Sequence, residues 1–146
     1  MASFTLTATV AASIDTVFDV LTDHRGHAAI TPLRAVTLEH QGHPEPDGVG
    51  AVRVLKLIGP PIREEVTVYE RPSRFSYRML SGAPVSEHIG TVDLSADGNR
   101  TQIAYRVDTT PSIPVPESAW AAANKPVINR LLGAIVKEAE RRGRAV

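Results

Sequence analysis

The stretch Pro126–Arg142, PVINRLLGAIVKEAERR, decides the fold. Its apolar residues Val127, Ile128, Leu131, Leu132, Ile135 and Ala139 recur at three- and four-residue steps. That spacing lays them along one stripe of a helix. Arg141 and Arg142 suit the negative end of such a helix, and Gly143 suits its C-cap. A helix with one apolar face must bury it against another layer. The preceding sequence supplies that layer. After Pro32 it reads as short strands, Leu33–Gln41, Gly50–Leu57, Ile62–Tyr69, Arg74–Leu80, Val85–Ser95 and Arg100–Thr109, divided by glycine, proline and Asp-Gly-Asn turns. Short connections make neighbouring strands antiparallel.

Further out, Phe4, Leu6, Ala8 and Val10 alternate with Thr5, Thr7 and Thr9, the pattern of a first strand rather than of a signal peptide. Ser13 caps a helix with Asp15 in its first turn and Ile14, Val17, Phe18 and Leu21 on its apolar stripe. A second short helix fits before Pro32. Glu117–Asn124 reads as a separate helical turn, with Pro126 kinking or restarting the long helix.

The 146 residues suit one domain, 1–146, with a sizeable core. With 16 basic and 16 acidic side chains the net charge is zero, which disfavours nucleic acid as a partner. No apolar run reaches the length of a membrane span, so stable membrane insertion is not expected. The absence of cysteine removes disulfides and thiolate chemistry, and fits a cytoplasmic protein. Edge strands leave room for a homodimer as well as a monomer.

Strand parity places polar side chains on the apolar face of the sheet. In the strand from Ile62, Glu64 shares its face with Val66 and Val68; in the next, Phe75, Tyr77 and Met79 form the apolar set. Four-residue connections at 70–73, 81–84 and 96–99 would pair Val66 with Tyr77, Glu64 with Met79, Tyr77 with His88, Gly90 with Tyr105, His88 with Val107 and Val92 with Ile103. Gly90 would then make room between Phe75 and Tyr105. Glu64, Tyr77, His88 and Tyr105 all face the long helix in this register. Pairing Leu57 with Ile62 brings Arg53 inward beside Val66, diagonal to Glu64; a one-residue slip brings Lys56 inward instead. Burial of Leu55 and Leu57 favours Arg53.

Ala12 to Asp23, Gly48-Val49-Gly50 with Arg53, Arg63-Glu64-Glu65-Val66 with Tyr69, Pro72 to Tyr77, the Gly98–Thr101 turn and the terminal amphipathic helix occur in an order that resembles the START-like superfamily, the polyketide cyclase/dehydrase and lipid-transport family. The resemblance runs over essentially the whole chain. It implies an α+β helix-grip fold: a curved seven-stranded antiparallel sheet gripping the long C-terminal helix, two short helices after the first strand, and a deep cavity between sheet and helix. It also implies an inward arginine on the strand of Arg53, as in cyclase members. Where many members carry a tryptophan before the proline ending the second helix, this chain has Ile30-Thr31-Pro32.

Three functions follow as expectations. The first is binding of a hydrophobic, lipid- or polyketide-like small molecule by Phe75, Tyr77, Met79, Tyr105, Trp120, Val127 and Leu131. The second is a polyketide cyclase or dehydratase working without metal or organic cofactor. There Arg53 is the electrophilic stabiliser and His88 or Glu64 carries the proton, because a desolvated guanidinium stabilises an enolate and burial tunes an acid–base group. The third is a protein-interaction module with no ligand. The spacings His24-Arg25-Gly26-His27 and His40-Gln41-Gly42-His43, with Asp23, suit zinc chemically, yet both fall in glycine-bearing element ends and no metal site is expected.

Overall fold

The computed structural model describes residues 1–23, 26–30, 35–56 and 59–144, apart from the side chains at 28 and 30. Seven antiparallel strands form one sheet in the order β1-β7-β6-β5-β4-β3-β2. They are β1 (Ala2–Val10), β2 (Ala35–His40), β3 (Val52–Lys56), β4 (Ile62–Glu70), β5 (Arg74–Ser81), β6 (Val85–Asp97) and β7 (Arg100–Pro111). Among the described residues three helices complete the fold: α1 (Ile14–Thr22), α2 (His27–Ile30) and α3 (Glu117–Arg144). From β2 to β7 each strand pairs with its sequence neighbour, and β1 returns to close on β7.

Local chemistry accounts for the elements. The Ser13 side chain accepts a hydrogen bond from the Thr16 amide and starts α1, whose Val17, Phe18, Val20 and Leu21 are buried. In β7 every second residue from Thr101 to Thr109 is buried, the alternation of a strand with one covered face. α3 covers that face beside β1, β7 and α1, and contributes Ile128, Leu132, Ile135 and Ala139 to the core.

Several expectations need correction. Only the first of the two short helices has ordinary length; α2 is a single turn. Pro126 neither ends nor restarts a helix, because α3 runs through it from Glu117. A proline removes the N–H that would bond the carbonyl four residues earlier. That carbonyl belongs to Ala122, which is exposed, so water is at hand. Gly143 lies inside α3 rather than capping it; a Cβ there would come within 3.3 Å of the Ala11 carbonyl oxygen. The helix thus passes close to the end of β1, where the Ala11 amide also donates to Glu140 Oε2 at 3.0 Å.

At three hairpins the strand register departs from expectation by two residues. β6 and β7 pair Asp97 with Arg100, so the turn is two residues rather than four. His88 therefore faces Thr109, Gly90 faces Val107, Val92 faces Tyr105 and Leu94 faces Ile103. Tyr77 pairs with Gly90 instead of His88, and Ile62 pairs with Leu55. The pairings Val66 with Tyr77 and Glu64 with Met79 hold. A shift of two residues returns each side chain to the same face, so Glu64, Tyr77, His88 and Tyr105 stay inward. In β4 a bulge between Val66 and Val68 pairs Tyr69 with Phe75, so Tyr69 rather than Val68 packs against the core.

Candidate functional site

Between the sheet and the N-terminal half of α3 lies a cavity of about 590 Å³. Its walls are mainly apolar, from Leu21, Leu55, Ile62, Phe75, Met79 and Ile135. Arg53, Glu64, Tyr77, His88 and Tyr105 also border it, as do Trp120, Val127 and Leu131 from α3. All ten candidate residues from the sequence thus meet around one space. Val127, 63% exposed, stands at its rim. Lys56 is exposed, which decides between the two inward cations.

Arg53 and Glu64 are directly opposed on β3 and β4, not diagonal. Arg53 Nη2 donates to Glu64 Oε1 at 2.6 Å, with the two residues only 4% and 8% exposed. Such a charge is tolerated in the interior because it is paired. The guanidinium carbon lies 5.2 Å from the Tyr77 ring centre and 5.5 Å from that of Phe75, within cation–π range. Two aromatic rings and a carboxylate therefore hold the arginine in place.

Tyr77 and Tyr105 join through their hydroxyls, both buried. Gly90 permits this contact. A Cβ at Gly90 would lie 2.4 Å from two ring carbons of Tyr77, so the phenol rests on the bare backbone of β6 as it reaches toward β7. Burial pushes both phenols up from their ordinary value, so both are neutral at physiological pH. One mutual bond uses one of the two O–H protons, and the pair keeps a second to donate.

His88 is 4% exposed, and its Nδ1 lies 3.0 Å from the Thr109 hydroxyl. Burial lowers its pKa, against the opposing pull of the Glu64 carboxylate. Trp120, on the first turns of α3, donates its indole N–H to the same hydroxyl at 2.9 Å. Asn124 Nδ2 donates to the Trp120 carbonyl at 2.8 Å, a bond within the helix that spans four residues.

Two buried polar residues at this site, Thr109 and His27, were not among the candidates. Thr109 follows Tyr105 and Val107 on the inward parity of β7, and that alternation was a usable signal. His27 carries no such signal, since the segment around it has no periodicity. It is buried, lines the cavity, and places Nε2 at 2.9 Å from the Val20 carbonyl. A carbonyl only accepts, so Nε2 holds the proton. Burial lowers the pKa of His27 as well. His24 lies outside the described residues, His40 and His43 are exposed, and among the described residues no three side chains of metal-ligating type converge on one point.

Comparisons with known proteins bear on the fold and the family. A comparison with curated protein sequences finds no match. Among solved structures, a START superfamily protein from Mycobacterium smegmatis superposes with a TM-score of 0.83 at 14% identity, covering 95% of this chain and 97% of that one. The Zhui aromatase/cyclase from Streptomyces sp. R1128 superposes with a TM-score of 0.79 at 25% identity, covering 97% and 94%. A point mutant of Thalictrum flavum norcoclaurine synthase gives a TM-score of 0.71 at 14% identity, covering 97% and 95%. The sequence model of the family described as polyketide cyclase / dehydrase and lipid transport matches residues 1–140. The chain belongs to that family.

Proposed function

We propose that residues 1–146 act as one domain that binds an apolar small molecule, lipid- or polyketide-like, in the space between the sheet and α3. The observation that carries this reading is the cavity itself. At about 590 Å³ it falls within the range of small-molecule sites. Its walls are apolar and its polar groups are few and convergent, the combination that holds a ligand and orients it. Membership of a family described by cyclisation, dehydration and lipid transport supports the same reading. Among the described residues no helix is long and apolar enough to cross a membrane.

N-phenyl-1-naphthylamine tests the proposal. Its fluorescence should rise on mixing with the protein, and an aromatic ketone or a fatty acid should displace it. An unchanged spectrum with the folded protein overturns the reading.

A second reading is favoured by one specific observation, the 25% identity to an aromatase/cyclase over nearly the whole chain. In this reading the site closes or dehydrates a poly-carbonyl chain. Arg53 stabilises the developing enolate oxygen, and Glu64 or His88 moves the proton. No step needs a group beyond the chain's own residues. Turnover of a linear poly-β-keto thioester that survives both Arg53→Ala and His88→Ala unchanged excludes it.

A further inference from the structure

His88 offers two ring nitrogens, and the structure accounts for only one. Nδ1 meets the Thr109 hydroxyl at 3.0 Å. The same hydroxyl accepts the indole N–H of Trp120 at 2.9 Å. Thr109 has no solvent exposure at all. A hydroxyl has one proton to donate and two lone pairs to accept with. Trp120 can only donate, so it occupies a lone pair. The hydroxyl proton then needs an acceptor, because a buried O–H left unbonded is costly. Of the two groups that Thr109 Oγ1 meets among the described residues, only His88 Nδ1 can accept.

The opposite arrangement fails on the same count. If His88 donated from Nδ1, Thr109 Oγ1 would accept twice and its own proton would be buried without a partner. Burial holds His88 in its neutral form, so the ring has a single N–H. With Nδ1 accepting, that N–H is on Nε2. The residue borders the cavity, and Nε2 has no hydrogen-bond partner among the described residues.

We infer that Thr109 and Trp120 are positioning residues that hold His88 as its Nε2–H tautomer, so that it presents a hydrogen-bond donor to an oxygen atom of the ligand. The three residues come from β6, β7 and α3, so the tautomer is set by the docking of the helix onto the sheet. The use of that donor rests on the binding reading above. In the cyclisation reading it divides the labour: His88 enters as donor to the developing oxyanion, and proton abstraction falls to Glu64. The tautomer itself rests on neither.

Long-range proton–nitrogen correlation spectra of protein labelled at histidine, recorded near pH 8, test the assignment. Loss of one spin system in His88→Gln identifies His88. In the wild type Nε2 should appear protonated, and Nδ1 bare but displaced by an incoming hydrogen bond. Thr109→Ser keeps a hydroxyl and should leave Nδ1 where it is. Thr109→Val should move Nδ1 to the position of an unbonded nitrogen, and Trp120→Phe should move it part of the way. A protonated Nδ1 in the wild type overturns the inference, whether or not any variant folds. So does an Nδ1 signal identical in wild type and Thr109→Val.

Two matched probes separate this result from the binding reading. 2-Acetylnaphthalene carries an acceptor oxygen, and 2-ethylnaphthalene has a similar shape without one. The ketone should shift the Nε2 proton and the hydrocarbon should not. If both bind and neither shifts it, the donor role is wrong while the cavity still binds. If neither binds, the binding reading falls with the donor role, and the free-protein spectra still decide the tautomer.

Discussion

The two halves of α3 work against different surroundings. Its C-terminal half gives Leu132 and Ala139 to an apolar core shared with Val10, Val17, Phe18 and Val107, and Ile135 sits where that core meets the cavity. Its N-terminal half, from Trp120 to Leu131, borders a cavity that also holds Arg53, Glu64, Tyr77 and His88. One amphipathic stripe serves both. What separates packing from binding is the opposite surface, where the strands supply hydrocarbon at one end and paired polar groups around unfilled volume at the other. Neighbouring residues on the helix should therefore respond differently to the same substitution.

The largest effect belongs to the cavity end. Arg53→Met leaves the Glu64 carboxylate buried without its cation, and removal of one partner from such a pair costs about 3–5 kcal/mol. The double variant Arg53→Met with Glu64→Leu should recover most of that loss, since the desolvation penalty goes with the charges. Urea denaturation of the two variants measures both. A loss below about 1 kcal/mol in the single variant would mean that water in the cavity already solvates the pair.

Next comes a direct contrast on the helix. Leu132 is 4% exposed and belongs to the closed core, so Leu132→Ala should cost about 2–5 kcal/mol. Leu131 borders space that is already unfilled, and its truncation opens no new void. Leu131→Ala should cost about 1 kcal/mol or less while weakening binding of N-phenyl-1-naphthylamine. Equal losses from the two variants would erase the distinction between the halves.

Gly90→Ala tests how the tyrosine pair is placed. The added methyl would sit 2.4 Å from the Tyr77 ring, so the phenol must move or the strands must part. Overpacking of this kind costs about 1–3 kcal/mol. A crystal structure of the variant should show Tyr77 displaced and its bond to Tyr105 broken. An unmoved Tyr77 would show that the sheet yields instead.

Most of this contrast was legible in the strands and little of it in the turns. Side chains alternate with a period of two, so the parity of Glu64, Tyr77, His88 and Tyr105 survived register errors of two residues at three hairpins. Parity says nothing about turn length, and Gly98-Asn99 closes its hairpin two residues tighter than the Asp-Gly-Asn composition implied. Proline chemistry suggested a broken helix, yet exposure of Ala122 let α3 run through Pro126. The burial of His27 was hidden because it depends on one tertiary bond to Val20. The meeting of Trp120 with His88 through Thr109 is likewise a product of helix docking, and no local pattern announces it.

Acid should loosen the cavity end first. Burial lowers the pKa of both His27 and His88, so each folded value lies below the unfolded one, about 6.5. The unfolded chain then binds more protons in that window, and stability falls as pH falls. The contribution is complete above about pH 6.5 and is lost progressively as pH drops through the folded values. The slope from each histidine is at most about 1.4 kcal/mol per pH unit. Melting temperatures between pH 7.5 and 5 should decline in the wild type, and less steeply in His27→Gln and His88→Gln. Parallel curves would place the acid-sensitive groups elsewhere.

The smallest change in stability should come from the rim. Val127 is 63% exposed, so Val127→Ser removes little buried area. Valine and serine have nearly equal helix propensity, and the variant should fall within about 0.5 kcal/mol of the wild type. Binding is a different matter. An apolar side chain exposed at the mouth of an apolar cavity gains burial only when something covers it. Full burial of a valine side chain is worth about 1.5 kcal/mol, which bounds the loss in probe affinity near tenfold. A variant with unchanged stability and several-fold weaker binding of N-phenyl-1-naphthylamine would show that the ligand reaches the rim. Unchanged affinity would confine it to the inner part of the cavity, among Tyr77, Tyr105 and His88, and would make the exposed end of the stripe a feature of the helix alone.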